Sequence, residues 1–497
     1  MKKIIISILG VLSLFGCVDL KQEPLSFLTP ENISYDESNM TTMANGLYRA
    51  LWGWNYGYCC RLFTLTLGAD DVIAGQLSKT RVIVIDELRA DATISELDVK
   101  YFWTNMYNLI LNSNLMIEGI SGSSGSFEEK KPYLGEAYFM RAFAYYNLVR
   151  IFGDVPAIID SKSAQDVLGN ENIGRNRVAD IYDKIIVPDL IMAEEYLPEV
   201  PRTRDNSSVG KIAAQTCLSE VYLTMAGWPL KRTEYYAKAA EKAKQIIEAS
   251  YNTHRLVEHY EDLWKEVTKS DNTEHIFAIN CSRLNSMASQ YGISFLAMEE
   301  NGWSDYLADE AFYLKYPDDE RKAFNYKTTY NRAGRPGQTI IVPYTQSTMK
   351  SPFINKYRDY GTDAAQSDGI IPIYRYADVL LIYAEAQNLA NNGPDDLAYR
   401  CINDVRKRAT GGTPNDIPEN LSGEDFDKYV FDERGWEFFA EFKRWFQLVR
   451  REKVEECNRY NSRVVEAGYI DRNKENYLMP LPPKEVELAK FPQNAGY

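Results

Sequence analysis

The sequence predicts a mostly α-helical protein in which helix pairs form a solenoid-like scaffold that carries one large, irregular insertion. Long segments repeat apolar residues at the spacing of an amphipathic helix, and several of these segments follow one another as pairs. Between about residues 250 and 372 the helical periodicity weakens and short strand-like runs appear. We therefore expect a single domain over residues 17–497, with the scaffold at about 38–250 and 373–497.

The first half of the scaffold contains three predicted helices, at about residues 38–52, 98–120 and 127–152. The third stops at Gly153-Asp154-Val155-Pro156, because a glycine followed by a proline cannot continue a helix. The short run of Ser and Gly at residues 121–126 is interpreted as a loop between two helices rather than as a domain boundary.

The clearest helix pair covers residues 211–226 and 233–249, joined by a turn at Gly227-Trp228-Pro229. Its Leu and Tyr four residues apart, followed by a helix rich in Ala, resemble a tetratricopeptide (TPR) unit, although Ser219 stands where that repeat usually has Gly. Further helices are predicted at residues 374–390, 396–409 and 426–450. Several such pairs in series indicate the solenoid-like scaffold.

The insertion is the part of the chain where binding is most expected. Strand-like runs occur at residues 274–279 and 339–342, and Pro, Gly, Asn and Asp are frequent between them. Long irregular segments on a rigid scaffold commonly carry the functional residues of a protein.

The start of the chain predicts export and lipidation. Lys2 and Lys3 precede an apolar run over residues 4–15, which is too short to span a bilayer as a helix. The run ends in Leu14-Phe15-Gly16-Cys17, the pattern of a bacterial lipoprotein signal. We expect residues 1–16 to be removed and Cys17 to carry acyl chains that anchor the protein.

Charge and composition exclude several function classes. The net charge of −14 becomes −16 once residues 1–16, with two lysines and no acids, are removed, which argues against a nucleic-acid partner. Only three His are present and none lies in an HExxH motif, so a zinc site or a His-dependent catalytic triad is not expected. Cys217 and Cys401 are interpreted as small apolar core residues.

A series of motifs identifies the chain as similar to the SusD/RagB family of nutrient-binding outer-membrane lipoproteins. In order they are the Cys17 anchor, Phe102-Trp103-Thr104-Asn105-Met106-Tyr107, Glu136-Ala137-Tyr138-Phe139-Met140-Arg141, Gly153-Asp154-Val155-Pro156, Tyr374-Arg375-Tyr376-Ala377-Asp378-Val379, Asn403-Asp404-Val405-Arg406, Glu433-Arg434, Glu437-Phe438, Arg444-Trp445, Leu478-Met479-Pro480-Leu481-Pro482 and Gln493-Asn494-Ala495-Gly496-Tyr497. Each motif alone is weak, whereas all of them in this order are specific.

The resemblance implies a SusD-like fold and a binding protein rather than an enzyme. Family members are lids on a SusC-like, TonB-dependent outer-membrane barrel, and they capture oligosaccharides or other polymers at the cell surface. The charged residues of the shared motifs are expected to form buried ion pairs between helices and not an active site. These residues are Arg141, Arg375, Glu385, Arg434, Glu437 and Arg444.

Candidate ligand residues follow from the chemistry of sugars. Aromatic rings pack on the apolar faces of sugar rings, and planar polar groups reach paired hydroxyls. Residues 51–58 alternate aromatic and small side chains, and residues 291–306 combine aromatic residues with Asn301 and Asp305. The predicted ligand-binding residues are Trp54, Tyr56, Tyr58, Asp71, Arg81, Tyr291, Trp303 and Tyr306. The alternative for each aromatic residue is packing in the core.

Other functions stay open at this point. A peptide or glycopeptide carrier would use the same scaffold, and so would a purely structural adaptor. A glycoside hydrolase needs two carboxylates, but with 70 acidic residues some pair always lies close, so this signal carries no weight. No cofactor is expected, and the acidic run Asp318-Asp319-Glu320 does not by itself indicate a Ca²⁺ ion.

Overall fold

Long antiparallel helices build the scaffold. The computed structural model describes residues 34–52, 58–75, 79–163, 174–203, 205–333, 338–357, 367–458, 464–465, 467–468 and 473–497, and for residues 58–61 and 333 it describes the backbone alone. In the first half the elements are α1 (Glu37–Ala50), α2 (Tyr58–Leu65), β1 (Val72–Ala74), α3 (Thr80–Asp86), α4 (Glu96–Gly122), α5 (Phe127–Phe152), α6 (Val178–Ile181) and, after a π-helical turn, α7 (Val187–Tyr196). The predicted helices at 38–52, 98–120 and 127–152 are confirmed.

Helix α5 is the central helix of the first half. Its buried residues lie all round its circumference, because α4 and α7 cover two of its sides. It ends at Phe152, where Gly153 takes a φ of 73° that favours glycine. The predicted stop of this helix is therefore confirmed.

The TPR-like pair consists of α8 (Lys211–Ala226) and α9 (Tyr235–Glu248). Ala239 and Ala243 are fully buried, and their small side chains let the two helices cross closely. The hydroxyl of Ser219, at the position where Gly is usual, donates to the carbonyl oxygen of Ala239 at 3.0 Å. Cys217 of α8 is fully buried, as predicted.

The insertion contains short elements joined by irregular loops. They are β2 (His275–Asn280), α10 (Tyr291–Phe295), β3 (Tyr306–Ala308), α11 (Glu310–Lys315), α12 (Glu320–Asn325), β4 (Tyr326–Lys327), β5 (Thr329–Ala333), β6 (Thr339–Pro343), β7 (Phe353–Ile354) and β8 (Ile370–Arg375). The described strands form four antiparallel pairs: β1 with β3, β2 with β8, β4 with β7, and β5 with β6. The pair β1–β3 ties the insertion to the segment that follows α2.

The C-terminal scaffold differs from the prediction in the helix expected at 426–450 and in two short helices after it that were not predicted. Its helices are α13 (Tyr376–Asn391), α14 (Asp396–Ala409), α15 (Gly423–Glu437), α16 (Arg444–Arg450), α17 (Val454–Asn458) and α18 (Pro483–Ala489). The single helix expected at 426–450 is wrong, because the chain leaves the helix at residues 438–443. Ala440 and Phe442 have φ values of 57° and 64° there, and the Ala440 N–H donates to the Asp71 carboxylate at 3.1 Å.

A buried ionic network joins the insertion to the scaffold. Glu437 of α15 accepts hydrogen bonds from Arg321 of the insertion, from Arg375 at the end of β8 and from Arg408 of α14, at 2.8, 2.8 and 2.5 Å. Lys356 of the insertion pairs with Glu441 at 2.8 Å, and both side chains are fully buried. Elsewhere Arg141 pairs with Asp189, Glu385 with Arg450, and Arg444 with Asp70. The prediction that the shared charged residues form ion pairs between elements is confirmed.

Within the described residues, none of the helices combines the length and the apolar character that crossing a bilayer requires.

Candidate functional site

The loop between α10 and β3 presents Trp303 at the surface. Trp303 is 38% exposed, which makes it the most exposed tryptophan among those the structure describes. Its backbone N–H donates to the carbonyl oxygen of Ile293 at 2.9 Å. Asp305 is half-buried beside it and accepts a hydrogen bond from the Ser294 hydroxyl at 3.2 Å. A flat aromatic ring with a carboxylate nearby is a suitable surface for a sugar ring.

This loop, residues 296–305, is held tightly by its own backbone. Gly302 N–H donates to the Ala297 carbonyl oxygen at 2.8 Å, and Ser304 N–H donates to the Leu296 carbonyl oxygen at 3.1 Å. Asn301 and Ser304 have φ values of 63° and 48°, which are uncommon for residues other than glycine. Such backbone positions persist only where the surroundings hold them in place.

An aromatic cluster forms the floor beneath the loop. Tyr291 stacks on Phe295 at 5.5 Å between ring centroids, and Phe63 of α2 contacts Tyr291, Phe295 and Tyr306 at 5.8, 5.5 and 4.8 Å. The Tyr306 hydroxyl also shares a hydrogen bond of 2.8 Å with the Thr64 hydroxyl. Helix α2, which directly follows the predicted aromatic segment in sequence, therefore packs under the Trp303 loop.

The structure places the predicted ligand residues at different depths. Tyr291 and Tyr306 are buried because their rings are used in the aromatic cluster, and Asp71 is buried beside the segment between α15 and α16. Arg81 lies on α3, where its Nε pairs with Asp98 at 3.2 Å. Of the predicted residues with a described side chain, Trp303 is the most exposed, and contact with a ligand stays a prediction for all of them. Cys17, Trp54, Tyr56 and the Tyr58 side chain lie outside the described residues.

The carboxyl group of Asp71, a predicted ligand residue, has a raised pKa because of its surroundings. Burial and the neighbouring Asp70 raise the pKa of Asp71 to about 6, against the weaker effects of the Ala440 N–H and Arg444. Arg444 is engaged by Asp70 through two hydrogen bonds of 2.6 and 2.9 Å. Asp71 is therefore a structural carboxylate in the core rather than a group directed at solvent.

A cleft of about 400 Å³, including the open solvent at its mouth, lies away from Trp303 and was not predicted from the sequence. The Arg150 guanidinium lies 3.7 Å from the Tyr146 ring centroid and 3.9 Å from that of Phe446. In the same cleft the Tyr374 hydroxyl donates to Glu220 at 2.8 Å. The lining comes from separate segments of the chain, so no local pattern could indicate it. Its polar groups already have partners, with Glu220 bound by Tyr374, Glu441 by Arg375, and Lys443 bound to Asp378, as expected in a seam between packed elements.

Metal binding finds no support in the described ranges, where no three His, Cys, Asp or Glu side chains lie close enough together to hold an ion.

Comparison with known proteins places the whole arrangement in one family. A model described as "SusD family" matches residues 203–497, and one described as "Starch-binding associating with outer membrane" matches residues 68–223. SusD-like protein P2 of Formosa agariphila is 30% identical over 98% of both chains.

Solved structures agree on the fold. The crystal structure of a SusD homolog from Bacteroides thetaiotaomicron covers 94% of this chain and 98% of its own, with a TM-score of 0.83 and 23% identity. A laminarin-binding SusD-like protein covers 93% of this chain and all of its own, with a TM-score of 0.74 and 20% identity. Together with the family model that matches more than half of the sequence, these findings show that the chain belongs to the SusD/RagB family.

Proposed function

We propose that this protein is a surface lipoprotein that binds an oligosaccharide or polysaccharide and passes it to a SusC-like, TonB-dependent transporter in the outer membrane. The observation that carries the proposal is Trp303, an exposed aromatic ring on a tightly held loop of the insertion. The proposal includes an acyl anchor at Cys17, no catalytic activity and no cofactor.

The chemistry of the Trp303 face supports a glycan ligand. The indole ring offers an apolar face for the C–H side of a sugar, and its loop is already ordered by backbone hydrogen bonds. A preformed loop lowers the entropic cost of binding, which otherwise weakens the capture of a flexible polymer. A relative with the same fold is described as laminarin-binding, which fits this chemistry. Trp54, Tyr56 and Tyr58 are proposed as further aromatic contacts.

Two other functions make different predictions. A peptide or glycopeptide carrier would bind charged ligands, and its affinity would fall steeply with salt, whereas a neutral glycan would bind with little salt dependence. A glycoside hydrolase would release sugar from the bound polymer, whereas a binding protein would leave the polymer intact.

The test is binding of residues 18–497 to a panel of purified polysaccharides and peptides by affinity electrophoresis and calorimetry. We expect retardation by at least one neutral polysaccharide, with no new reducing ends after prolonged incubation. Trp303→Ala should weaken binding of that polysaccharide about tenfold or more, as truncation of a central aromatic contact does in other interfaces.

Phe127→Ala is the matched control. Phe127 is 50% exposed, but it lies at the start of α5 on the scaffold, where its ring contacts Tyr196. Its truncation should leave glycan affinity unchanged. Equal affinities for the wild type and Trp303→Ala would exclude this face as the binding site, and binding of a peptide instead of any glycan would favour the carrier alternative.

The proposed transporter partner requires a separate measurement. Tagged full-length protein, extracted from outer membranes in mild detergent, should co-purify with a barrel protein identified by mass spectrometry. Recovery of the protein alone under conditions that preserve other outer-membrane complexes would contradict this part of the proposal.

A further inference from the structure

Gly75 lies opposite the Trp303 loop, although the two are far apart in sequence. Strands β1 and β3 pair with Val72 opposite Ala308 and Ala74 opposite Tyr306. The pairing continues one step further, because the Gly75 N–H donates to the Asp305 carbonyl oxygen at 2.8 Å. Gly75 therefore contacts the backbone only two residues after Trp303.

The contact leaves no room for a side chain on Gly75. A Cβ atom there would lie 1.9 Å from the carbonyl oxygen of Ser304 and 3.1 Å from its carbonyl carbon. Real Cβ atoms do not approach closer than about 3.0 Å, and a backbone carbonyl cannot rotate away as a side chain could. Because Gly75 itself has no positive φ, the restriction is steric and not conformational.

The Trp303 loop cannot absorb such a displacement locally. Ser304 is 1% exposed, and its hydroxyl accepts from the Met298 N–H and donates to the Leu296 carbonyl oxygen, both at 3.1 Å. On the inner side, a Cβ on Gly302 would lie 2.1 Å from the Leu296 carbonyl oxygen. The backbone around Trp303 is thus packed on two sides, and a shift of Ser304 must move the neighbouring Trp303.

We propose that Gly75 is a positioning residue of the ligand site, which sets the orientation of Trp303 through its close contact with the Ser304 carbonyl group. The inference rests on the proposed function for its consequence in binding. Recognition sites require their contact groups to be held within about 0.5 Å, and an added methyl group on Gly75 forces a displacement larger than that. The contact also joins the segment after α2 to the insertion, so that one face is built from both.

The experiment compares Gly75→Ala with Gly46→Ala in the mature chain. Gly46 is a glycine of α1, and no atom lies within 4 Å of the place that a Cβ would occupy there. Gly46→Ala therefore adds the same methyl group as Gly75→Ala but causes no clash. We expect Gly75→Ala to lower the affinity for the glycan by about tenfold or more, for the same glycan whose binding Trp303→Ala weakens. Gly46→Ala should bind this glycan as the wild type does. All affinities are measured at least 15 °C below the midpoint of thermal unfolding of each variant.

A spectroscopic measurement separates positioning from loss of stability. In protein labelled with 5-fluorotryptophan, the ¹⁹F resonance of Trp303 is assigned from its absence in Trp303→Phe. Gly75→Ala should shift or broaden this resonance and leave those of the buried Trp103, Trp264 and Trp445 in place. Gly46→Ala should change none of them.

The outcomes distinguish the inference from the proposed function. If Trp303→Ala weakens binding but Gly75→Ala keeps both the affinity and the Trp303 resonance of the wild type, the inference is overturned and the proposed function stands. If no glycan binds the wild type, the proposed function fails and the Trp303 resonance alone decides the positioning role. If Gly75→Ala does not fold, replacement of Gly75 by glycolic acid, which removes the N–H that donates to the Asp305 carbonyl oxygen and adds no atom, decides it by the same two readouts.

Discussion

At the scale of single residues, Asp71 has a protonation state that depends on folding. Asp71 is 5% exposed, and burial together with Asp70 raises the pKa of its carboxyl group to about 6 from an ordinary value of 3.8. Between these two pH values the folded protein binds more protons at this site than the unfolded chain does. The contribution of Asp71 to the free energy of unfolding therefore falls as the pH rises from about 4 to about 6, and stays low above pH 6.

We predict that Asp71→Asn raises the free energy of unfolding at pH 7.5 by about 1–3 kcal/mol, since one pKa unit corresponds to about 1.4 kcal/mol. Asn keeps an oxygen that accepts the Ala440 N–H but carries no charge. Urea unfolding measured from pH 4.5 to 8 should show that the advantage of the variant shrinks by more than half as the pH falls to 4.5.

Asp318→Asn is the control for this prediction, because the Asp318 side chain is 94% exposed. Its effect on stability should stay within about 0.5 kcal/mol across the same range. A variant Asp71→Asn that is less stable than the wild type at pH 7.5, with an unchanged pH dependence, would show that the charged form is the favoured one.

Three aromatic residues of the insertion show which features of the site could not be predicted from the sequence. Tyr291, Trp303 and Tyr306 lie within sixteen positions of one another in a segment without clear periodicity, so each is equally compatible with core or surface. The structure separates them because Tyr291 and Tyr306 face Phe63, a residue more than two hundred positions away. A contact of that sequence separation leaves no local signal. The aromatic composition therefore indicated the segment, but not which ring faces solvent.

At the scale of elements, α15 presents the carboxylate that holds three segments together. Burial alone would raise the pKa of Glu437, but Arg408, Arg375 and Arg321 together hold it at about 2. Its contribution to stability is thus present above the ordinary glutamate pKa and is lost as the pH falls toward 2. Removing the charge would leave three buried guanidinium groups with one carboxylate fewer.

We predict that Glu437→Gln lowers the free energy of unfolding by about 3–5 kcal/mol at pH 7, the usual cost of breaking a buried ion pair from one side. Glu424→Gln on the same helix is the matched control, since Glu424 is 84% exposed and pairs only with Lys428 in the described chain. It should change stability by less than about 0.5 kcal/mol. Similar losses for both variants in chemical unfolding would contradict the central role of Glu437.

Helices were predictable where their apolar residues recur at helical spacing within one continuous stretch of sequence. Amphipathic spacing and the Gly153 stop were sufficient for α4, α5, α8 and α14. The break between α15 and α16 was missed because residues 438–443 have ordinary helix-forming composition, and tertiary contacts with Asp71 and Lys356 draw their backbone out of the helix. The strands that pair with β1 and β2 could not be predicted from the sequence either, because each lies in a distant part of the chain.

At the scale of the whole molecule, the insertion is built into the scaffold rather than appended to it. Arg321 and Lys356 from the insertion meet Glu437 and Glu441 in fully buried positions, and β2 pairs with β8 directly before α13. The Trp303 loop is therefore carried on a body that is continuous with the helices. A ligand bound at this loop would be held in a constant orientation relative to the scaffold, which suits the proposed transfer to a partner protein.

Attachment of this body to the membrane depends, in our proposal, on Cys17 alone. The described residues contain no helix that could span a bilayer, and several acyl chains on one residue are sufficient for firm anchoring. We predict that wild-type protein stays in the outer-membrane fraction after a high-pH carbonate wash, which strips proteins held only by protein contacts. Cys17→Ser should appear in the soluble fraction, with the glycan affinity of the mature chain.

Cys457→Ser, at a free and partly buried cysteine, is the control and should remain in the membrane fraction. Retention of Cys17→Ser in washed membranes would mean that another segment binds lipid, because a carbonate wash leaves only acylated or inserted protein behind.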